Sequence, residues 1–305
     1  MTESLRIGVP SKGRLADLAT ELLRDAGLKF RRQDRGLFAR VRPLDKGSLA
    51  GGGMPIDITF LRTDDIPVLC AEGAIDLGIT GSDLVEEARV DGQPVAVDTR
   101  LPLGMGNCRL ALCVPEGSPV IGTKDLGGDR VATSFPNVTR DHLTSRGVTA
   151  HIVELTGSVE VMIALGVADA IVDLVETGST LVANKLRILE EIGSYETVLI
   201  QNRAQAAGEP NDKTRLADRI VRRIEGVVIA RDYSLLEYNV PEPRLPDAES
   251  ITPGYSSPTV NKLEKPGWYA VRAMVRRGEV IGIMERLEAL GAEAILETGI
   301  ANCRL

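Results

Sequence analysis

The segment Val167–Leu186, VADAIVDLVETGSTLVANKL, sets two aspartates in a short apolar run and follows it with Glu-Thr-Gly-Ser-Thr and a second apolar stretch. Side chains alternate faces along a strand, so Asp169, Ile171 and Asp173 are expected to share one side of a sheet. Asp173 falls near the carboxyl end, where α/β sheets build ligand sites. Asp169 lies ~13 Å back, at the strand entrance. The loop Glu176-Thr177-Gly178-Ser179-Thr180 offers main-chain N–H groups, hydroxyls and one glycine that admits a ligand close to the backbone. At a helix N-terminus, unsatisfied amides and the macrodipole favour an anion. Carboxylates for sugar hydroxyls or an associated Mg²⁺, beside an amide cradle, are what a ribose 5-phosphate needs. The same loop also fits a plainer description, in which Ser179 or Thr177 simply caps the following helix. A second amide-rich loop, LTGSVE (Leu155–Glu160) with Gly157 and Ser158, favours the phosphate reading. A donor carrying a phosphate and a diphosphate needs two cradles, and the strand of the second loop is expected beside that of the first.

Bulk properties narrow the remaining chemistry. A net charge of −7 argues against a nucleic-acid surface, so an anionic ligand must be held by local donors. His142 and His151 are the only histidines, which disfavours a histidine metal site or a Ser-His-Asp triad. Cys70, Cys108, Cys113 and Cys303 show no framework spacing and read as reduced, mostly buried thiols, with Cys108 and Cys113 on one strand. The N-terminus runs from MTES directly into LRIGV, with no secretory core, and no apolar run reaches membrane-spanning length. A cytoplasmic location, with neither nucleic acid nor membrane as partner, is the expectation.

To position such loops, the chain repeats one unit: apolar strand, small polar loop, amphipathic helix. LRIGVP passes through SKGR into a helix with Leu15, Leu18, Ala19, Leu22, Leu23 and Ala26 on one face, stopped by Gly27. AIDLGIT, DRVATS and HIVEL start further units, the last leading into the helix VEVMIALG. The alternation predicts an α/β body with a doubly wound, mostly parallel sheet. GSLAGGGMP (Gly47–Pro55) reads as a hairpin tip or insertion. Composition shifts at Asp98–Asn107 and Gln201–Asp212 suggest boundaries: a first lobe over 1–98, completed by about 186–212, and a second over 99–185. From Gly226 the pattern changes to a strand VVIARDYSLLEYNV, a short helix, two strands, a helix and a last strand. That βαββαβ order predicts a ferredoxin-like domain over 226–305.

Glu160, Gly166, Ala168, Ile171, Asp173, Leu174, Thr177, Gly178, Thr180 and Leu181 fall at the spacing of the ATP phosphoribosyltransferase signature. VPSKGRL, FLRTDDIP, AIDLGITGSDLVEE, RVATSFPN and the tail GAEAIL also resemble that family, so the likeness covers essentially the whole chain. The tail is similar to the long, histidine-regulated form. The resemblance implies a two-lobed, periplasmic-binding-protein-like catalytic body plus a regulatory domain. It implies transfer of phosphoribosyl from phosphoribosyl pyrophosphate (PRPP) to N1 of ATP, with Mg²⁺ on the departing diphosphate. Adenine N1 is already a nucleophile, so alignment and electrostatics should carry the rate rather than a strong base.

The resemblance also assigns residues. Thr177, Gly178, Ser179 and Thr180 take the 5-phosphate, Asp173 the ribose hydroxyls, and Gly157 and Ser158 the diphosphate, while Glu176 is expected to face solvent. Lys12, Gly13, Arg14, Arg62, Gly81 and Asp83 serve ATP. Arg109 belongs there by position, although an arginine at a strand start is more often a surface ion-pair partner. Histidine, as feedback inhibitor, is expected at Asn239, Tyr255, Ser257, Thr259 and Ala294, between neighbouring regulatory domains. Asn239 stands where an acid is expected to meet the ligand's ammonium, and Tyr255 where a smaller aliphatic is usual, so affinity should be weaker. A dimer that joins into hexamers when inhibited is implied too; the direct metal ligands are not. The competing reading is a non-catalytic two-lobed small-molecule binding protein, since fold does not fix function.

Overall fold

A computed structural model describes residues 3–33, 36–41, 54–208 and 211–304. The expected hairpin tip lies outside the described residues, apart from Met54 and Pro55. Two compact units are present: residues 1–20 with 29–218, and residues 21–28 with 219–305.

The first unit contains two sheets. One is built from β1 (Leu5–Pro10), β2 (Phe38–Arg40), β3 (Ile56–Leu61), β4 (Leu77–Gly81) and β7 (Val97–Pro102), after a two-strand ribbon of β5 (Arg89–Val90) and β6 (Gln93–Pro94). The other holds β8 (Cys108–Pro115), β9 (Arg130–Thr133), β10 (His151–Glu154), β11 (Ala170–Val175) and β12 (Leu186–Tyr195); β13 (Thr197–Asn202) then returns to the first. The orders are β2-β3-β1-β4-β13-β7 and β10-β9-β11-β8-β12. Parallel pairing joins β3, β1 and β4 in one sheet and β10, β9 and β11 in the other. This is the expected two-lobed doubly wound body, but its pairing is mixed rather than mostly parallel: β13 runs antiparallel to β4 and β7, β8 antiparallel to β11 and β12, and β2 antiparallel to β3. Its crossings fall later than composition suggested, because β7 stays in the first sheet and β12 belongs to the second.

Near-continuous apolar strands bury both faces of the second sheet, as parallel sheets require. Leu110, Leu112, Val114, Ala170 and Val172 pack on one face. Ala111, Cys113, Ile171, Val175 and Leu181 pack on the other, joined by Val159. The chain passes between lobes at residues 103–107 and at Glu196. There Leu103 N–H donates to the Thr197 carbonyl and Thr197 N–H to that of Met105, both at 2.9 Å. Gly106 is obligatory at this point: its φ is +68°, and a Cβ would meet Thr197 Oγ1 at 2.6 Å. Beside the crossings, the Glu87 carboxylate of the first lobe accepts the amides of Asn137 and Val138 at 3.0 Å. It thereby caps the helix Pro136–Ser145 of the second lobe.

The second unit contains β14 (Tyr233–Pro241), the helix Leu245–Ile251, β15 (Thr259–Lys262), β16 (Trp268–Arg276), the helix Val280–Leu290 and β17 (Glu293–Gly299). The order β15-β16-β14-β17, antiparallel throughout, is the expected ferredoxin-like βαββαβ. Leu236, Tyr238 and Val240 point to the helices and pack with Val280, Ile283 and Leu287.

Three segments differ from expectation. VVIARD is helical, because the helix Asp212–Asp232 runs through Gly226 without a break. The glycine serves close approach instead: Cys303 N–H donates to its carbonyl at 3.0 Å, and a Cβ there would land on the Cys303 carbonyl and the Arg304 guanidinium. The helix after LTGS shrinks to Val161–Ala164, and the one after ETGS to Ser179–Ala183. Both are bounded by glycines of positive φ, Gly166 on one side and Gly178 on the other.

Candidate active site

β11 ends at Val175, and the chain turns at once. Gly178 takes φ +80°, a left-handed conformation that turns the backbone into the helix Ser179–Ala183. The amides of Thr177 and Gly178 have no partner among the described residues. Thr177 and Ser179 hydroxyls lie 3.1 Å apart, and Gly178 makes no side-chain cap. The plain N-cap description is met only by a long bond, the Ser179 amide donating to Thr177 Oγ1 at 3.5 Å. Nor does a five-residue helix supply much dipole, so any anion here depends on the turn's own amides.

The second loop follows β10, which is not the neighbour of β11 as expected; β9 lies between them. It reaches β11 by folding across the sheet. Val159, 1% exposed, inserts among Ile171, Val175 and Leu181. Gly157 at φ +148° and Ser158 at φ +53° bend the backbone there, and a left-handed serine is uncommon enough to suggest a ligand-facing turn. The fold-back sets Glu160 near Asp173.

Asp173 shares its sheet face with Ile171 and Cys113. Burial pushes its carboxyl above the usual range; the Leu174 amide at 2.8 Å opposes this, and the Glu160 charge adds to it. Asp169 has the opposite setting. It precedes β11, and its carboxylate receives the Arg130 side chain at 2.8 and 3.0 Å and the Arg130 amide at 3.0 Å. Those bonds hold it down at about 2, the condition of a strand-entrance clamp.

Across the cleft, Gly13 at φ +81° turns the SKGR loop after β1, with Lys12 and Arg14 exposed. Arg14 reaches Glu176 at 3.3 Å, so these two loops of opposite lobes meet. Glu176 thus faces the other lobe as well as solvent. A cleft of about 630 Å³ lies between the lobes, lined by Ser82, Asn107, Cys108, Arg109, Glu176 and Tyr195 among others. Arg109 pairs with Glu191 while lining it. Gly81 leads into the helix Ser82–Glu87, and the buried Asp83 carboxyl is raised by burial against the pull of backbone amides. Arg62 is occupied by Asp64 at 2.9 Å. Sequence reasoning did not name Tyr195, at the end of β12, whose phenol is pushed up by burial and a bond to Glu86. The four cysteines are free, and burial raises the Cys108 thiol to about 11 and Cys113 to about 12, which leaves them poor nucleophiles.

Two lobes facing a cleft, with amide-rich turns and a buried acid on one side and a basic loop on the other, make a two-lobed α/β protein whose cleft could receive an anionic ligand. The ATP phosphoribosyltransferase family model matches residues 62–226, and that of its C-terminal domain ("HisG, C-terminal domain") matches 230–302. An ATP phosphoribosyltransferase from Rhodopirellula baltica is 60% identical over 301 residues, covering 99% of this chain and 94% of that protein. One from Saccharopolyspora erythraea is 41% identical over 302 residues, covering 99% and 100%. Among solved structures, the ATP phosphoribosyl transferase (HisG:HisZ) complex from Thermotoga maritima matches with a TM-score of 0.58 at 28% identity, over 72% of this chain and 98% of that one. The chain belongs to the ATP phosphoribosyltransferase family, the pentosyl-transferring enzymes that open histidine biosynthesis.

Proposed function

We propose that this chain transfers the phosphoribosyl group of PRPP to N1 of ATP, releasing diphosphate, with its groups divided between the lobes. The 5-phosphate sits on the amides and hydroxyls of Thr177, Gly178, Ser179 and Thr180. Asp173 orients the ribose hydroxyls, and Gly157 and Ser158 receive the diphosphate. ATP enters from the other lobe, where Lys12, Gly13 and Arg14 meet its phosphates and Gly81 and Asp83 border the nucleotide. Arg62 and Arg109 join by exchanging their present partners, Asp64 and Glu191, for phosphate. The observation that supports this reading is the meeting of the two loops, one from each lobe, at Arg14 and Glu176.

Mg²⁺ fits the same place. Among the described residues no cluster of three His, Cys, Asp or Glu side chains forms a preassembled site. Glu160 and Asp173 repel one another, and a divalent cation carried in by the diphosphate would relieve that repulsion. Bound there, the ion would neutralise charge on the departing diphosphate.

In the C-terminal unit, histidine binds between neighbouring regulatory domains at Asn239, Tyr255, Ser257, Thr259 and Ala294, and inhibits. The working oligomer is a dimer that joins into hexamers under inhibition. Mixing the protein with ATP, PRPP and Mg²⁺ tests the core of the reading. A time-dependent ultraviolet absorbance change that needs all three supports it, and a flat trace with active PRPP sinks it.

A further inference from the structure

We propose that Glu293 supplies the carboxylate for the ammonium group of the regulatory amino acid, in place of an acid at position 239. The proposal rests on the reading of Asn239 and its neighbours as the histidine site.

An α-ammonium group brings three charged donors and needs a charged acceptor. Asn239 provides only an amide, and its side chain makes no hydrogen bond among the described residues. On β14 it points away from Tyr238 and Val240, which enter the core. Its strand partner on β17 is Glu293, across a register shift, and Lys265, seated on the Trp268 ring of Asn239's own sheet face, meets Glu293 from that side. The only other acid β14 presents on that face, Glu237, is engaged by Arg272 at 2.6 Å. Glu293 is held far more loosely: Lys265 Nζ lies 3.6 Å away and rests at the same time on the Trp268 ring, 3.5 Å from its centroid. An incoming ammonium can replace that lysine at little cost, because both side chains of the pair are more than half exposed. The next residue, Ala294, is held at φ +51°, beside the register shift between β14 and β17. A left-handed alanine is a strained conformation of the sort that clusters at ligand clamps. An unpartnered amide, a loosely paired carboxylate and a strained backbone thus meet at one point on the sheet.

Isothermal titration of the full-length protein tests this with two ligands: L-histidine and 3-(imidazol-4-yl)propionate, which keeps ring and carboxylate but lacks the amine. E293Q is expected to weaken L-histidine by about tenfold or more and to leave the des-amino compound unchanged. Adding N239D to E293Q should restore histidine affinity. Emission from Trp268, the chain's single tryptophan, should change on histidine binding to the unaltered protein as Lys265 gives up its partner. Equal histidine affinity in E293Q, equal weakening of both ligands, or no recovery with N239D overturns the role of Glu293 while leaving the site in place. Failure of the unaltered protein to bind histidine removes the site and the proposal together. Basal turnover of E293Q is the folding control.

Discussion

Asp169 and Asp173, four residues apart in sequence, sit in opposite electrostatic settings. Asp173 is half-buried near Glu160 and holds its charge at a cost, since its carboxyl is raised. A raised carboxyl favours folding when protonated and opposes it when ionised, so at pH 7 it destabilises the protein. Asp173→Asn should therefore lower turnover at least about a hundredfold, leave ATP binding within a few fold, and raise the melting temperature at pH 7. Steady-state kinetics, ATP titration and calorimetry check the three outcomes, and unchanged turnover removes Asp173 from the mechanism. Asp169 behaves in reverse. Its contribution is complete above the ordinary aspartate range of about 4 and is lost as pH falls towards about 2. Asp169→Asn should lower the melting temperature at pH 6, and the difference should shrink as pH falls towards about 2. The place of Asp169 at the strand entrance was legible, because position along a strand follows from the apolar run. The partners were not. Glu176 meets Arg14 across 162 residues of sequence, and the Glu160 charge acts on Asp173 from a loop whose Val159 folds into the core. Local pattern holds no record of either.

At the scale of elements, long periodic helices and the apolar strands were readable, whereas short elements and boundaries were decided by tertiary contacts. VVIARD has the β-branched content of a strand, yet it continues a helix whose buried face includes Leu216, Ile220, Ile224 and Val227. Gly226 looked like a stop because glycine usually ends helices. It is instead the place where the C-terminal segment lies against the helix backbone. Gly226→Ala should thus destabilise by about 1–3 kcal/mol through overpacking, although alanine is the better helix former by about 1 kcal/mol. Urea denaturation measures this, and a stabilised variant would show that the tail does not pack there. The helices after the two loops were overestimated for a related reason: left-handed residues stop them after one turn each, Gly166 after the first and Lys185 after the second.

For the whole molecule, two lobes and a ferredoxin-like tail were legible because alternation of strand and helix, and then its change, both appear in composition. The points of crossing were not, since β7 and β12 carry no mark of the sheet they join. If histidine drives assembly, sedimentation velocity should show a larger species when histidine is added, and the shift should be lost in a variant that no longer binds it; no shift at saturating histidine would refute the dimer-to-hexamer scheme. The paired passages between lobes have a further effect. Leu103, Met105 and Thr197 tie the two connections into a short ribbon, which bends readily and resists torsion. If a substrate draws the lobes inward, such a ribbon confines them to a single arc, so whichever substrate arrives first bears the entropy loss for both. The latecomer meets a prearranged gap and binds more tightly than it would alone.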